Sequence, residues 1–434
     1  MPQIFADFHL HSCFSRATSK EMNLEQLSRN ALLKGLTVLG TGDFTHPNWF
    51  GELKQKLQLA GGGTSQGIFE FGGVSWIITG EVCTIYNQDG KTRKVHHVIH
   101  VPDFDVAEQI INILGKRGNL AEDGRPVFSG LTSPELVEML MEVSDDIFIY
   151  PAHAWTSWFG ALGEFSGFNS LEECYQDQTK HVHALETGMS SDPAMNWRLS
   201  ALDKFTLLSN SDSHSPWTWR IGREANAFDF GPGFAFEDLT YKKLHDAIMT
   251  RKGLAFTVEV DPSYGKYHFT GHRACGINLQ PSEAIRFNNI CPICGRKLTV
   301  GVLQRVEKLA DRSEGFEPDT AVPFKSLLPL YEIISFATGV SQLYSQRVVE
   351  QQNELIKKFG DEFNVLLNVP KGELLKAADP KIADAIIKAR EGRVKYIPGY
   401  DGVYGVPVFS DEEYEKLKRK QADKAREQRS LKDF

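Results

Sequence analysis

Histidines and carboxylates recur in this chain where apolar runs end. His9 and His11 are separated by one residue. On an extended strand, side chains at i and i+2 share a face, so two imidazoles converge as a shared metal ion requires. Later runs end the same way. Asp43 and His46 lie in GTGDFTHP, Glu81 in ITGEV, and His96, His97 and His100 in VHHVIH. His153 follows in YPAHA, Glu186 in ALETG, and Asp212 and His214 in SNSDSH. Imidazoles bind divalent ions and carboxylates can bridge two of them. Buried ionisable groups without partners are strongly disfavoured, so packing alone is a costly account of the set. The pattern predicts a multinuclear metal site.

A second constellation follows. His272, Cys275, Cys291 and Cys294 give His-x2-Cys, a gap of 15 residues, then Cys-x2-Cys. This fits a two-knuckle zinc ribbon with one cysteine replaced by histidine, a closed structural site. His268 lies four residues before His272 and could substitute for it. Around these residues, Arg286, Arg296, Lys297, Arg305, Lys308 and Arg312 make the segment basic, which favours nucleic-acid contact over a purely structural clip.

The elements that must carry these residues are β-rich runs separated by helix-like stretches such as 23–35 and 133–143. Thr132 or Ser133 is the expected N-cap of the second, with Pro134 in its first turn. Strands alternating with amphipathic helices predict an α/β unit with a parallel sheet, and about seven strands favour a barrel. Active sites of such barrels gather where the strands end. The chain divides by character into 1–258, a zinc-binding module at 259–312, a helical region at 313–410 with breaks at Pro323, Pro329, Pro370 and Pro398, and a charged tail at 411–434. Its 434 residues hold 41% hydrophobic and 24% charged residues, which excludes disorder for most of it. A net charge of −8 argues against a wholly electrostatic nucleic-acid binder. No apolar run approaches the ~20 residues of a membrane helix, and the N-terminus is not expected to be a secretory signal. Six cysteines, three isolated and three clustered, fit a reducing cytoplasm better than a disulfide framework.

HLHS, the TGD motif, the Glu, His and AH motifs and the terminal SDSH together resemble the PHP (polymerase and histidinol phosphatase) superfamily over residues 1–258. The resemblance implies a distorted (β/α)7 barrel whose two or three divalent ions, Zn, Mn or Mg, hydrolyse phosphoesters. The ligands it implies are His9, His11, Glu81, His97, His153, Asp212 and His214, with Asp43 or His46 in the second motif and Asp43 favoured. His97 is preferred to His96 because Val98 and Ile99 follow it. Glu81, His153 and Asp212 are the implied catalytic residues. Where the family often carries an acid, Arg16 follows Ser15. That cation could contact substrate phosphate or form an ordinary surface ion pair.

DFHLHSCFSRATSKEMN, GTGDFTHP, the GHRACG and CPICG pair and LADR are further similar to the endonuclease Q group, to about residue 408. That resemblance implies a DNA repair endonuclease nicking 5′ to deaminated bases (uracil, hypoxanthine, xanthine) or abasic sites in double- or single-stranded DNA. Trp155, Trp158, Trp217 and Trp219, with Arg220, lie in loops after strand ends. Any one ring is more readily explained as loop packing, but at least one is expected to stack on or wedge into DNA. A small-molecule phosphatase accounts equally for residues 1–258 but leaves the later segments without purpose. A non-catalytic DNA-binding protein with a degenerate barrel is disfavoured because most ligand positions are filled. A sliding-clamp partner is conceivable, but no convincing clamp-binding peptide occurs.

Overall fold

The computed structural model describes residues 3–60, 66–340 and 345–430, the side chains of 421–430 excepted. The last four residues of the expected tail lie outside the described residues.

A ring of seven strands carries the ligand-type residues. Ile4–Asp7 pairs in parallel with Val38–Gly40, which pairs in parallel with Val74–Gln88. That long strand turns back as Lys91–Val101, which pairs antiparallel with Phe148–Pro151. A single parallel bridge, Ile149 to Val182, leads to Ala184–Glu186, which pairs in parallel with Thr206–Leu208. A second bridge, Leu10 to Ser213, closes the ring onto the first strand. The expected (β/α)7 barrel is therefore present, in a mixed fold with a helical C-terminal region.

The expectation of a parallel sheet needs correction. Asp89 and Gly90, at φ 52° and 73°, form the two-residue turn between Gln88 and Lys91. Positive φ at both central positions is the geometry that joins antiparallel strands. Two more antiparallel strands, Ala225–Phe228 and Leu254–Glu259, extend the sheet beyond Ile4–Asp7.

Helices cover the outside. Leu24–Lys34 begins at Asn23, whose side chain accepts from the Gln26 amide, and ends at Gly35 in the left-handed region, φ 93°. Ser133–Met141 is capped by Thr132 in a reciprocal box with Glu135, which decides between the two candidate caps. Buried Trp49, Trp76, Phe128 and Tyr175 fill the space between helices and sheet.

The expected segment boundaries are bridged by backbone pairing. Leu254–Glu259 pairs with Phe324–Ser326, so the chain returns to the sheet after the cysteine-bearing segment. Residues 395–400, expected to continue the helical region, instead enter a hairpin, Lys395–Ile397 with Val406–Val408. Glycine makes its docking close: the Gly399 amide donates to Ser263 O and the Gly405 amide to Tyr264 O. A Cβ on Gly405 would sit 2.1 Å from Ser263 O. Pro329 and Pro370 precede helices rather than interrupt them.

Candidate metal centre

Two groups of ligand atoms share one carboxylate. His9, His11, Glu81 and Asp212 form the first, and Glu81, His96 and His153 the second, with the ligand atoms of each group within 4.8 Å of one another. Glu81 Oε1 lies 2.7 Å from His96 Nδ1 and 3.2 Å from His153 Nε2. Its Oε2 lies 3.4 Å from His11 Nε2, which is also 3.1 Å from Asp212 Oδ1. His9 Nε2 faces Glu81 and Asp212 at 3.7 Å each. That nitrogen is buried and has no hydrogen-bond partner. A buried orphan aimed between two carboxylates is what a missing cation would leave, so the residues present fit divalent ions.

The far nitrogens are held as ligation requires. His9 Nδ1 is 3.0 Å from Glu186, His11 Nδ1 is 3.0 Å from Asp43, and His153 Nδ1 is 2.7 Å from Thr156 Oγ1. Such partners set the ring orientation and tautomer of metal-bound imidazoles. Asp43, His153 and Asp212 adopt positive φ of 47°, 30° and 46°. Non-glycine residues pay for that conformation, and such strain clusters at functional sites.

The charges are poised for a cation. Burial alone would push Glu81 up, but His96, His9 and Arg125 hold its carboxyl well below the usual range. Burial opposes protonation of His9 and His11 too. The carboxylates outweigh it: Glu186, Glu81 and Asp212 raise His9 well above its ordinary value, and Asp43 and Asp212 raise His11. His96 is instead pushed down to about 4 by burial, despite Glu81. A divalent ion bound here would compete with protons for His9 and His11.

Several expectations change. His97 is not in either group. Its Nδ1 pairs with Tyr175 Oη at 2.9 Å and its Nε2 with Thr84 Oγ1 at 3.1 Å, on the face opposite Glu81. His96 occupies the place expected of His97. Asp43 spends its oxygens on His11, on the Ser12 amide and hydroxyl, and on Ser15 Oγ, so it positions His11. His46 stacks on Phe14 at 4.4 Å, outside both groups. His214 stands at the rim, its ring 4.5 Å from that of His11 and its Nδ1 3.0 Å from Asp212 O. Arg16 is 68% exposed and pairs with Glu122 and Asp123 rather than facing the centre. The arginine that does face it is Arg125, whose Nη1 lies 3.2 Å from Glu81 Oε2, and no local sequence signal marked it.

The tryptophans separate by burial. Trp155 is fully buried and donates to Asn196 Oδ1 at 2.8 Å, which corrects its assignment to substrate. Trp158 is 42% exposed and stacks on Phe165 at 4.8 Å. Its neighbour Phe159 packs on His96 at 4.7 Å, so this loop borders the centre. Trp217 stacks on Trp219, which stacks on Tyr331 of the helical region. The two tryptophans line a cavity of about 200 Å³ with Arg29, Gln352 and Ile356. Arg220 is partly exposed beside them.

The structure also brings together His272, Cys275, Cys291 and Cys294, with His272 Nδ1 3.3 Å from Cys294 Sγ. His268 lies apart, stacked on Phe269. Gly295, at φ 72°, permits the knuckle in which the Cys291 amide donates to Arg296 O. Two of the basic residues nearby serve the fold. Arg305 is buried, donating to Leu162 O and Phe168 O, and Arg312 forms a two-pronged pair with Asp203.

Comparison with known proteins bears on this arrangement. Residues 329–393 match the family described as the MJ0043 C-terminal domain. The chain is 34% identical to MJ0043 of Methanocaldococcus jannaschii over 261 residues, 60% of this chain. It spans about a third, 32%, of that relative's length. The crystal structure of the lesion-specific endonuclease PfuEndoQ from Pyrococcus furiosus superposes with a TM-score of 0.83 at 32% identity, covering 94% of this chain and 96% of that one. An endonuclease Q complex with a 27-mer duplex carrying an abasic lesion at the active site superposes with a TM-score of 0.82, also at 32% identity, covering 94% and 97%.

Proposed function

This chain belongs to the endonuclease Q family, and from that premise we propose that it is a metal-dependent DNA repair endonuclease. The observation that carries the reading is Glu81, one carboxylate inside the strand Val74–Gln88 shared by two groups of ligand atoms. His9, His11, Glu81 and Asp212 would hold one divalent ion, and Glu81, His96 and His153 a second. His214 at the rim is the further ligand that the family pattern supplies. Ions bound there supply Lewis acidity and a water acidified toward hydroxide, which is the chemistry phosphodiester hydrolysis needs.

The chain's own residues supply the geometry. Glu81 Oε1 faces His96, His153 and His9 while its Oε2 faces His11, so this one carboxylate ties the two groups together. Glu186, Asp43 and Thr156 keep three imidazoles turned inward. The substrate is duplex or single-stranded DNA with a deaminated base or an abasic site, cut 5′ to the lesion. Extruding such a base costs little because its pairing is already weak. Trp158 at the edge of the centre, and Trp217, Trp219 and Arg220 in the segment that follows His214, are the surfaces for it. His272, Cys275, Cys291 and Cys294 hold one structural zinc. The cysteine pattern in the sequence, three isolated and three clustered as metal ligands, supports a cytoplasmic setting.

The test is a nicking assay on an end-labelled duplex with one uracil, one hypoxanthine or one abasic site, and an undamaged control. A single nick 5′ to the lesion, dependent on Mg²⁺ or Mn²⁺ and absent with EDTA and in Asp212→Ala, is expected. No nick at any lesion, together with phosphate release from small monoesters, would replace this reading with a phosphatase.

A further inference from the structure

Among the described residues, Arg125 is the only arginine or lysine that pairs with a carboxylate of the two ligand groups. Backbone bonds beside it fix its place. Cys83 pairs with Val127, and the Cys83 amide donates to Pro126 O at 2.9 Å. The residue before Pro126 is thereby set against the strand that carries Glu81. The Arg125 amide donates to Asp123 Oδ1 at 3.3 Å, which steadies the turn. Its Nη1 meets Glu81 Oε2, the oxygen that also faces His11. Its Nε is enclosed without a hydrogen-bond partner, while 27% of the side chain is open to solvent.

A buried guanidinium donor left unpaired is costly, and a guanidinium does not shed its charge. Glu81 occupies Nη1 and leaves most of the five N–H donors unspent. With divalent ions on Glu81, that carboxylate no longer needs a counter-ion. A planar cation at the mouth of the centre then suits an anion arriving from solvent, and a phosphate oxygen matches its fork. Arg16, the cation expected for this contact, is turned outward onto Glu122 and Asp123.

We propose that Arg125 binds a non-bridging oxygen of the phosphate that is cut, as a substrate ligand rather than a part of the scaffold. The proposal rests on reading the barrel as a phosphodiesterase.

The experiment uses the full chain loaded with Mn²⁺, as wild type, Arg125→Ala and Arg125→Lys. Metal content is read by mass spectrometry, inorganic phosphate affinity by calorimetry, and single-turnover cleavage on an abasic duplex and on bis(p-nitrophenyl) phosphate. Metal content should stay at the wild-type value in both variants. Phosphate binding should weaken about 10-fold or more in Arg125→Ala, and cleavage should fall about 10²- to 10³-fold, as on removal of one donor to a developing charge. Arg125→Lys, which keeps the charge and loses the fork, should fall between. Unchanged phosphate affinity, or loss of metal from Arg125→Ala, would overturn the proposal. If Arg125→Ala does not fold, Arg125→Lys decides, since unchanged phosphate affinity there overturns it equally. A wild type that hydrolyses bis(p-nitrophenyl) phosphate but no lesion DNA would refute the repair reading while leaving Arg125 testable on the small ester.

Discussion

Glu81 and His96 hang from the same face of one hairpin, with Oε1 and Nδ1 2.7 Å apart. Opposite residues of an antiparallel pair share a face, and His96 stands opposite Cys83, two residues beyond Glu81 on the same face. His97, one residue on, points to the other side and bonds Tyr175 and Thr84. His96→Ala should therefore lose metal from the second ligand group and at least about 10² in cleavage rate, because ligand removal disables a metal-dependent step. His97→Ala should lower stability by roughly 1–3 kcal/mol through the hydroxyls it strands, while leaving metal content intact. Metal analysis and urea unfolding of both variants check this, and the reverse pattern would restore His97 as the ligand.

Asp43 illustrates the difference between holding a ligand and being one. Its Oδ1 fixes His11 Nδ1 at 3.0 Å, and its other oxygen takes three donors from Ser12 and Ser15. Asp43→Asn should weaken metal affinity by about 10- to 100-fold, the usual cost of losing an orienting partner. Raising the Mn²⁺ concentration should recover much of the cleavage rate. Failure of any metal concentration to recover activity would make Asp43 a direct ligand.

Much of this was legible from residue types alone. His, Asp and Glu at the close of apolar runs pointed to His9, His11, Glu81, His153 and Asp212. The i, i+2 spacing of His9 and His11 needs no tertiary information, although Glu81 lies in the middle of Val74–Gln88 rather than at a strand end. The choice between His96 and His97 was legible too, but only through the Asp89–Gly90 turn. That turn sets Gln88 opposite Lys91 and so puts position 96 on the face of Glu81. Arg125 was not legible. It lies in a loop, and its place depends on pairing between Cys83 and Val127, far apart in the chain. Burial was equally hidden: Trp155 and Trp158 look alike in sequence, yet one is enclosed and the other 42% exposed.

Those two tryptophans should answer differently to the same substitution. Trp155→Ala removes a fully buried ring and strands Asn196 Oδ1, and should cost about 3–5 kcal/mol of stability. Trp158→Ala removes an exposed stack and should scarcely alter the melting temperature. Its expected effect is on lesion DNA, with binding weakened by ~1–3 kcal/mol, the value of one stacked base. Melting curves and fluorescence titrations with a duplex carrying one uracil separate the two, and undiminished DNA affinity in Trp158→Ala would assign that ring to loop packing.

The proposed zinc ribbon is tied to the barrel through the helix Val302–Leu309 that follows it, since Arg305 donates to Leu162 O and Phe168 O. Cys291→Ser should remove one zinc per chain and leave the barrel ions in place. Bis(p-nitrophenyl) phosphate hydrolysis should stay within about threefold of wild type, because the ribbon contributes no atom to either ligand group and effects on independent sites add. Lesion-DNA affinity should drop by about tenfold or more, in line with loss of several phosphate contacts. Retained DNA affinity after zinc loss would make the ribbon a structural clip.

At the end of the strand Leu254–Glu259, Glu259 is a carboxyl whose protonation the fold favours. It is fully buried and is hydrogen-bonded by Thr257 Oγ1 at 2.6 Å and Thr187 Oγ1 at 2.9 Å. Burial pushes it up to about 8, and Glu224 beside it is raised well above its ordinary value by burial and by Glu259. The folded protein thus holds this proton more tightly than the unfolded chain, where a glutamate titrates near 4.3. The resulting stability is fully present below that pH and is lost as pH rises through about 8. Glu259→Gln cannot ionise and should escape the loss. Between pH 6 and pH 9, unfolding free energy of the wild type should fall relative to the variant, by on the order of a few kcal/mol. The metal ligands are common to both proteins, so their titration cancels in the difference. Urea midpoints measured across this range test the prediction, and parallel pH curves for the two proteins would show that Glu259 enters the fold already ionised.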